Sequence, residues 1–135
     1  LKANFKEIFN SFKEYLSENI PELGNVITHW EDPFTVSKNQ TVMLPNSSSE
    51  SGEKMLFSIR LCISTVEKNS DAIPQVQMDI MNKVFSVVYN SAVLGKIINA
   101  SISGADYYDP VPQSPIVGVI DMTINLTIDY IDDCY

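Results

Sequence analysis

The sequence is poor in the residues that most enzyme chemistry uses. One histidine and two cysteines occur in 135 residues. Two cysteines, Cys62 and Cys134, are too few for a secreted disulfide framework, and their spacing is not that of a metal site. The five glycines (Gly24, Gly52, Gly95, Gly104 and Gly118) are scattered. They form neither GxGxxG nor GxxxxGK, so a glycine-rich phosphate cradle is excluded. No run of roughly 18 apolar residues is present, which excludes a helix spanning a membrane. A basic-then-apolar leader is missing too, and the first residue is not Met, so the N-terminus reads as trimmed or incomplete. Cations are scarce: 9 Lys and Arg face 17 Asp and Glu, giving a net charge of −8. Tight nucleic-acid binding needs clustered cations to neutralise phosphates, and this balance argues against it. The expectation is therefore a compact, acidic, soluble domain of intracellular location. With 44% hydrophobic residues it can build one core.

What is present follows a clear order. Phe5, Ile8, Phe9, Phe12, Tyr15 and Leu16 recur at spacings of three and four, predicting an amphipathic helix over Ala3–Asn19. Asn4 and Glu7 fit a capping pair, and Pro21 disfavours helix at the residue before it. Asn25–Trp30 and Thr41–Leu44 read as short strands, the second stopped by Pro45. The polar stretch from Pro45 to Lys54 reads as a mobile surface loop. From Met55 the period changes to two: Met55, Phe57, Ile59, Leu61 and Ile63 share one face, and Ser58, Arg60, Cys62 and Ser64 the other. Ser70-Asp71 opens a second helix that tolerates Pro74 in its first turn. Its stripe is Ile73, Val76 or Gln77, Ile80, Val84, Val87 and Val88.

Ile97–Ser103 then reads as a strand with Ile98, Ala100 and Ile102 on one face, followed by a tyrosine- and proline-containing loop over 104–115. Ile116–Ile131 alternates without a break, apolar at even positions and Asp121, Thr123, Asn125, Thr127 and Asp129 at odd ones. The order predicts an α+β two-layer sandwich in a single domain over 1–135, with a mostly antiparallel sheet and two helices packed on one face. A strand of 116–131 would run roughly 50 Å at about 3.3 Å per residue. A globule of this size is only about 37 Å across. Either a bulge breaks the strand, for instance at Gly118, or a hairpin projects to pair with a second copy. Charge is also uneven, since no Lys or Arg occurs from Ile97 to Tyr135, where Asp106, Asp109, Asp121, Asp129, Asp132 and Asp133 lie. A solvated acidic face, a surface that repels DNA and a surface meeting a basic partner all fit that bias.

Candidate chemistry is thin. His29 stands beside Trp30, Glu31 and Asp32, yet strand neighbours point to opposite faces and no nucleophile accompanies it, so a structural role is expected. Cys62 shares a face with Arg60, which could lower its pKa, but without an adjacent base it reads as inert. Asp129, Asp132 and Asp133 lack calcium-loop spacing. The sequons at Asn39, Asn46, Asn99 and Asn125 read as chance matches. Asp106-Tyr107-Tyr108-Asp109 reads either as a binding loop or as a turn whose tyrosines cover the core edge. The residues therefore predict no enzyme.

Several features together carry a family resemblance: the leading helix, the W-x-D-P-F break at Trp30–Phe34, the long strand and the Ser-Asp helix start. V-L-G-K-I-I at Val93–Ile98, A-D-Y-Y-D at Ala105–Asp109 and the alternating final strand complete it. In this arrangement the chain resembles the tail terminator (neck or tail-completion) proteins of tailed bacteriophages and phage-derived particles, over nearly its whole length. The resemblance implies a non-enzymatic, cofactor-free subunit of a ring, commonly a hexamer, that caps the tail tube and joins it to the head connector. It implies a virion component assembled in the bacterial cytoplasm, with self, tube and connector as partners and DNA passing only through the lumen. The family has no fixed binding motif, so regions are carried over. The expected contacts are Ser47, Ser48 and Ser49 in the first loop, Tyr107, Tyr108 and Asp109 in the second, and Asp121 and Asp129 on the acidic strand. Alternatives are a head–tail connector subunit and a small non-catalytic ligand-binding α+β domain. The acidity of the C-terminal tail has no counterpart in the family pattern.

Overall fold

A computed structural model describes residues 4–111 and 115–129. Helix α1 (Phe5–Asn19) begins where the sequence places its cap: Asn4 Oδ1 accepts from the Glu7 backbone N–H at 3.1 Å, and Asn4 Nδ2 donates to Glu7 Oε2 at 3.0 Å. Its stripe buries Ile8, Phe12 and Leu16, while the Phe5 ring meets the edge of Phe57 at 5.1 Å. After α1 a short 3₁₀ turn, Pro21–Leu23, ends at Gly24, whose φ of +67° favours glycine. A Cβ at Gly24 would also lie 1.9 Å from the Asn39 carbonyl oxygen.

The strands are β1 (Asn25–Ile27), β2 (Gln40–Ser51), β3 (Lys54–Glu67), β4 (Ile97–Val111) and β5 (Ile116–Asp129), with helix α2 (Ala72–Tyr89) between β3 and β4. They form one sheet in the order β1-β2-β3-β5-β4, antiparallel except for the β1–β2 pair. Both helices cover the face carrying Ile59, Leu61, Ile63, Ile120, Met122 and Ile124, all buried. This is an α+β two-layer sandwich. On the other face, residues 28–39 form a strap over the β3 residues that alternate with the core. Ser64 Oγ donates to the Pro33 carbonyl at 2.7 Å, and Asn39 Oδ1 accepts from the Val66 N–H at 2.9 Å. The Asn39 amide, by its other end, donates to the Glu22 carbonyl.

Four expectations change. The Pro45–Lys54 stretch is not a loop but the end of a hairpin, with β2 continuing through a register shift between Pro45 and Ser47 and turning at Gly52. Pro45 is compatible with a strand because β1 pairs only with Gln40–Val42, leaving this part of β2 at a sheet edge. The expected loop after Ser103 is also strand as far as Val111, while residues 112–114 lie outside the described ones. Ile98 does not share the buried face with Ala100: the register shifts between Ile97 and Asn99, so Ile97 is 4% exposed and Ile98 40%. Most consequentially, β5 neither bulges at Gly118 nor projects. It lies between β3 and β4, and its pairing with β3 runs unshifted from Ile116–Glu67 to Asp129–Lys54. Residues 130 and 131 lie outside the described ones. The length mismatch resolves because β2 to β5 are all long and lie side by side, making the sheet itself elongated.

Gly118 is required for a different reason. A Cβ there would lie 2.4 Å from Ile73 Cγ2 and 2.9 Å from Gln77 Nε2, so α2 packs directly on the bare backbone. Gly118→Ala is expected to lower unfolding free energy by about 1–3 kcal/mol in urea titration. Adding Ile73→Ala should make the combined loss smaller than the sum of the two single losses.

Candidate interaction surface

Outer-face residues of β3, β4 and β5 build the first cluster. Arg60 donates through Nε to Asp121 Oδ1 at 3.0 Å and through Nη2 to Oδ2 at 2.8 Å, a two-point ion pair across β3 and β5. The Trp30 ring from the strap lies 5.1 Å from the guanidinium carbon, so the cation is held on two sides. The hydrogen bonds to Asp121 raise the Arg60 pKa further above its usual value. Cys62, the β5-facing neighbour of Asp121 in register, is buried, and burial first and the Asp121 charge second push its thiol up to about 11. Arg60 pulls it down by less, so the neighbouring cation does not activate the thiol. Asp106 of β4 stands opposite Asp121, placing a second carboxylate on the far side of the pair. Beneath the strap a cavity of about 260 Å³ is lined by Trp30, Phe34, Arg60, Cys62, Tyr108 and Asp121, among others.

The second surface lies where α2 meets the outer edge of β4. Met78, Phe85 and Tyr89, spaced by seven and four, form one stripe of α2 and are each about half exposed. Phe85 and Tyr89 stack at 5.7 Å with 13° between planes. Tyr89 Oη accepts from the Ile102 backbone N–H at 3.4 Å, which sets this stripe against the open edge of β4. Tyr107 of β4, which shares a groove with Met78, extends the exposed apolar strip, and Ile98 is a further exposed apolar residue of β4. At its far end Ile73, Pro74, Gln77, Met78, Tyr107, Tyr108 and Pro110 line an open groove of about 480 Å³. Contiguous exposed apolar patches, unlike scattered single residues, mark interaction surfaces.

The expected contact residues divide between separate places. Tyr107 opposes Ile120 and faces the helix layer, whereas Tyr108 opposes Val119 and meets Phe34 of the strap edge-on at 6.2 Å. The alternation of β4 thus sends the two tyrosines to opposite faces. Asp109 lies in β4 and Asp129 ends β5, opposite Lys54. Ser47, Ser48 and Ser49 are exposed on β2, paired with Ser58, Phe57 and Leu56, and two strands separate them from β4. Asp121 is engaged with Arg60. His29 is exposed beside Glu31, at 3.1 Å, and not in the core. Glu31 is in turn held by Gln40, which first, and His29 second, lower its pKa. Among the described residues no group of three or more His, Cys, Asp and Glu could hold a metal ion. The sequence reading missed Met78, Phe85 and Tyr89, although their spacing marks a second apolar stripe beside the core one. No family model matches the chain, and no match among curated proteins was found.

The thiol environment gives a pH dependence. Because the folded pKa of Cys62 is raised from 9.0 to about 11, the unfolded chain loses this proton first as pH rises. The contribution is therefore complete below about pH 9 and declines towards pH 11. In a Cys134→Ser background, Cys62→Ala is expected to reduce the fall in urea stability between those pH values. The native Cys62 thiol should react with an aromatic disulfide reagent at pH 8 far more slowly than the unfolded one.

Proposed function

We propose that this protein is a non-catalytic structural subunit that associates with copies of itself, of the kind that terminates a phage-type tail tube. The single observation that carries the self-association is the exposed apolar strip of Met78, Phe85, Tyr89 and Tyr107 along the open edge of β4. It replaces the projecting hairpin, since β5 is an interior strand with both edges occupied. Assignment to the tail terminator type rests on the resemblance in element order and on the short matches at Val93–Ile98 and Ala105–Asp109. A net charge of −8 suits a ring that duplex DNA crosses without adhering. The tail tube and the head connector are the remaining partners in this reading, and the virion is its location. The interior between helices and sheet is filled by Phe12, Leu16, Ile80 and Val84, all buried, which favours a structural subunit over a domain enclosing a small ligand.

Mass photometry of the protein at high concentration, alone and mixed with tail-tube subunits of the same particle, tests the reading. Oligomers, or a complex on the tube end, are expected. Phe85→Asp, at an exposed position, should weaken association by about tenfold or more while leaving the thermal melt nearly unchanged. Monomers only, with no binding to tube subunits, would overturn the proposal.

A further inference from the structure

Gln77 is the anomaly of α2. It is 5% exposed, and its Nε2 atom, buried over Gly118, has no hydrogen-bond partner among the described residues. An amide N–H that is buried and unpaired destabilises a fold, whereas an apolar side chain of the same length carries no such penalty. Gln77 sits at the base of the groove of about 480 Å³ between α2 and β4. Pro74 and Met78 form the helix wall of that groove, and Tyr107, Tyr108 and Pro110 the strand wall. Met78 and both tyrosines are about half exposed, so open apolar surface flanks a side-chain amide that lacks an acceptor.

The walls limit what can lie there. Pro110 has no N–H, and the pairing of β4 with β5 shifts between Tyr108 and Val111, so an incoming strand meets no continuous ladder to extend. Sites for small ligands enclose most of the molecule, whereas this groove is open. An extended chain held through side chains fits better. A polyproline II segment has that chemistry, because its backbone carbonyls are unpaired, its prolines lack N–H groups and their rings pack on aromatic walls. Charge narrows the choice further. Strands β4 and β5 contain no Lys or Arg, and the single cation of α2, Lys83, is paired with Glu22 at 2.8 Å. Lys68, in the turn before α2, is outnumbered by Glu67, Asp71 and Asp79. A basic residue beside the prolines is therefore attracted, and an acidic one repelled.

We infer that the α2–β4 groove docks a proline-rich segment of a partner protein, one that carries Lys or Arg beside its prolines. Gln77 donates to a backbone carbonyl of that segment after its amide turns about the last side-chain torsion, a broad and soft rotation. The proline rings lie against Tyr107, Tyr108 and Met78. This docking does not rest on self-association, because Gln77, which carries it, is no part of the exposed strip.

NMR titration of the full chain carrying Phe85→Asp tests the docking apart from self-association. The probe is a synthetic proline–leucine peptide of about ten residues, roughly 30 Å long as a polyproline II helix, with an arginine at one end. Saturable shifts are expected in the amides of Ile73, Gln77, Met78, Tyr107 and Tyr108. Exchanging the peptide's prolines for alanine should weaken binding about tenfold, and exchanging its arginine for glutamate about threefold. Gln77→Met should weaken binding about tenfold and raise the thermal midpoint, since it removes the unpaired amide. Tyr107→Ser, at an exposed position, should weaken binding by a similar factor with the midpoint unchanged. No saturable shifts at millimolar peptide, or equal binding of the alanine peptide, would overturn the inference. So would a Gln77→Met protein that melts earlier and binds as before, or saturation of the same shifts by free indole, which marks a small-molecule pocket. Failure of peptide binding leaves self-association standing, and a monomer that binds the peptide leaves this docking site standing.

Discussion

The unshifted pairing of β3 with β5, from Lys54–Asp129 to Glu67–Ile116, is the constraint on which every other placement depends. Because side chains alternate along both strands, one register puts Ile59, Leu61, Ile63, Ile120, Met122 and Ile124 on a common face, and a slip by one residue would turn them all to the other. With that register set, both helices have one apolar face to cover. The same register puts Arg60 within reach of Asp121 on the opposite side, and brings Gly118 beneath Ile73 and Gln77 so that α2 can approach the sheet backbone.

Periodic segments were legible in the sequence because periodicity is what burial selects. The stripe of α1, the alternation from Met55 and the alternation from Ile116 each appear as expected, and so does the α+β class. The second halves of the edge strands β2 and β4 were not legible. The second half of β2 carries Pro45 and a serine run, and the second half of β4 carries Gly104, Asp106, Asp109 and Pro110, so their composition resembles loops. They are strands because β3 and β5 supply hydrogen-bonding partners along their length, a tertiary cause that local composition does not carry. The same blindness made β5 seem overlong. Its length is unremarkable beside neighbours of similar length, which no single segment could disclose.

The candidate site was legible only in part. Tyr107 and Tyr108 do reach the surface, but the alternation of a strand, unlike that of a loop, parts them. The serines at 47–49 and the tyrosines belong to different edges of one sheet, so they serve one contact only if it joins opposite sides of two copies. Met78, Phe85 and Tyr89 were hidden by the stronger stripe on the same helix. Three-dimensional placement singles them out, because α2 lies beside an open edge and the Tyr89 hydroxyl engages it.

The uneven spacing of β4 has a consequence for solubility. Shifts at Ile97/Asn99, Ile102/Gly104 and Tyr108/Val111 break the outer row of donors and acceptors into short unmatched stretches. An arbitrary extended peptide can match such a row for only a few residues before falling out of step. Such a border can thus stand at the edge of the sheet without seeding amyloid-like stacks.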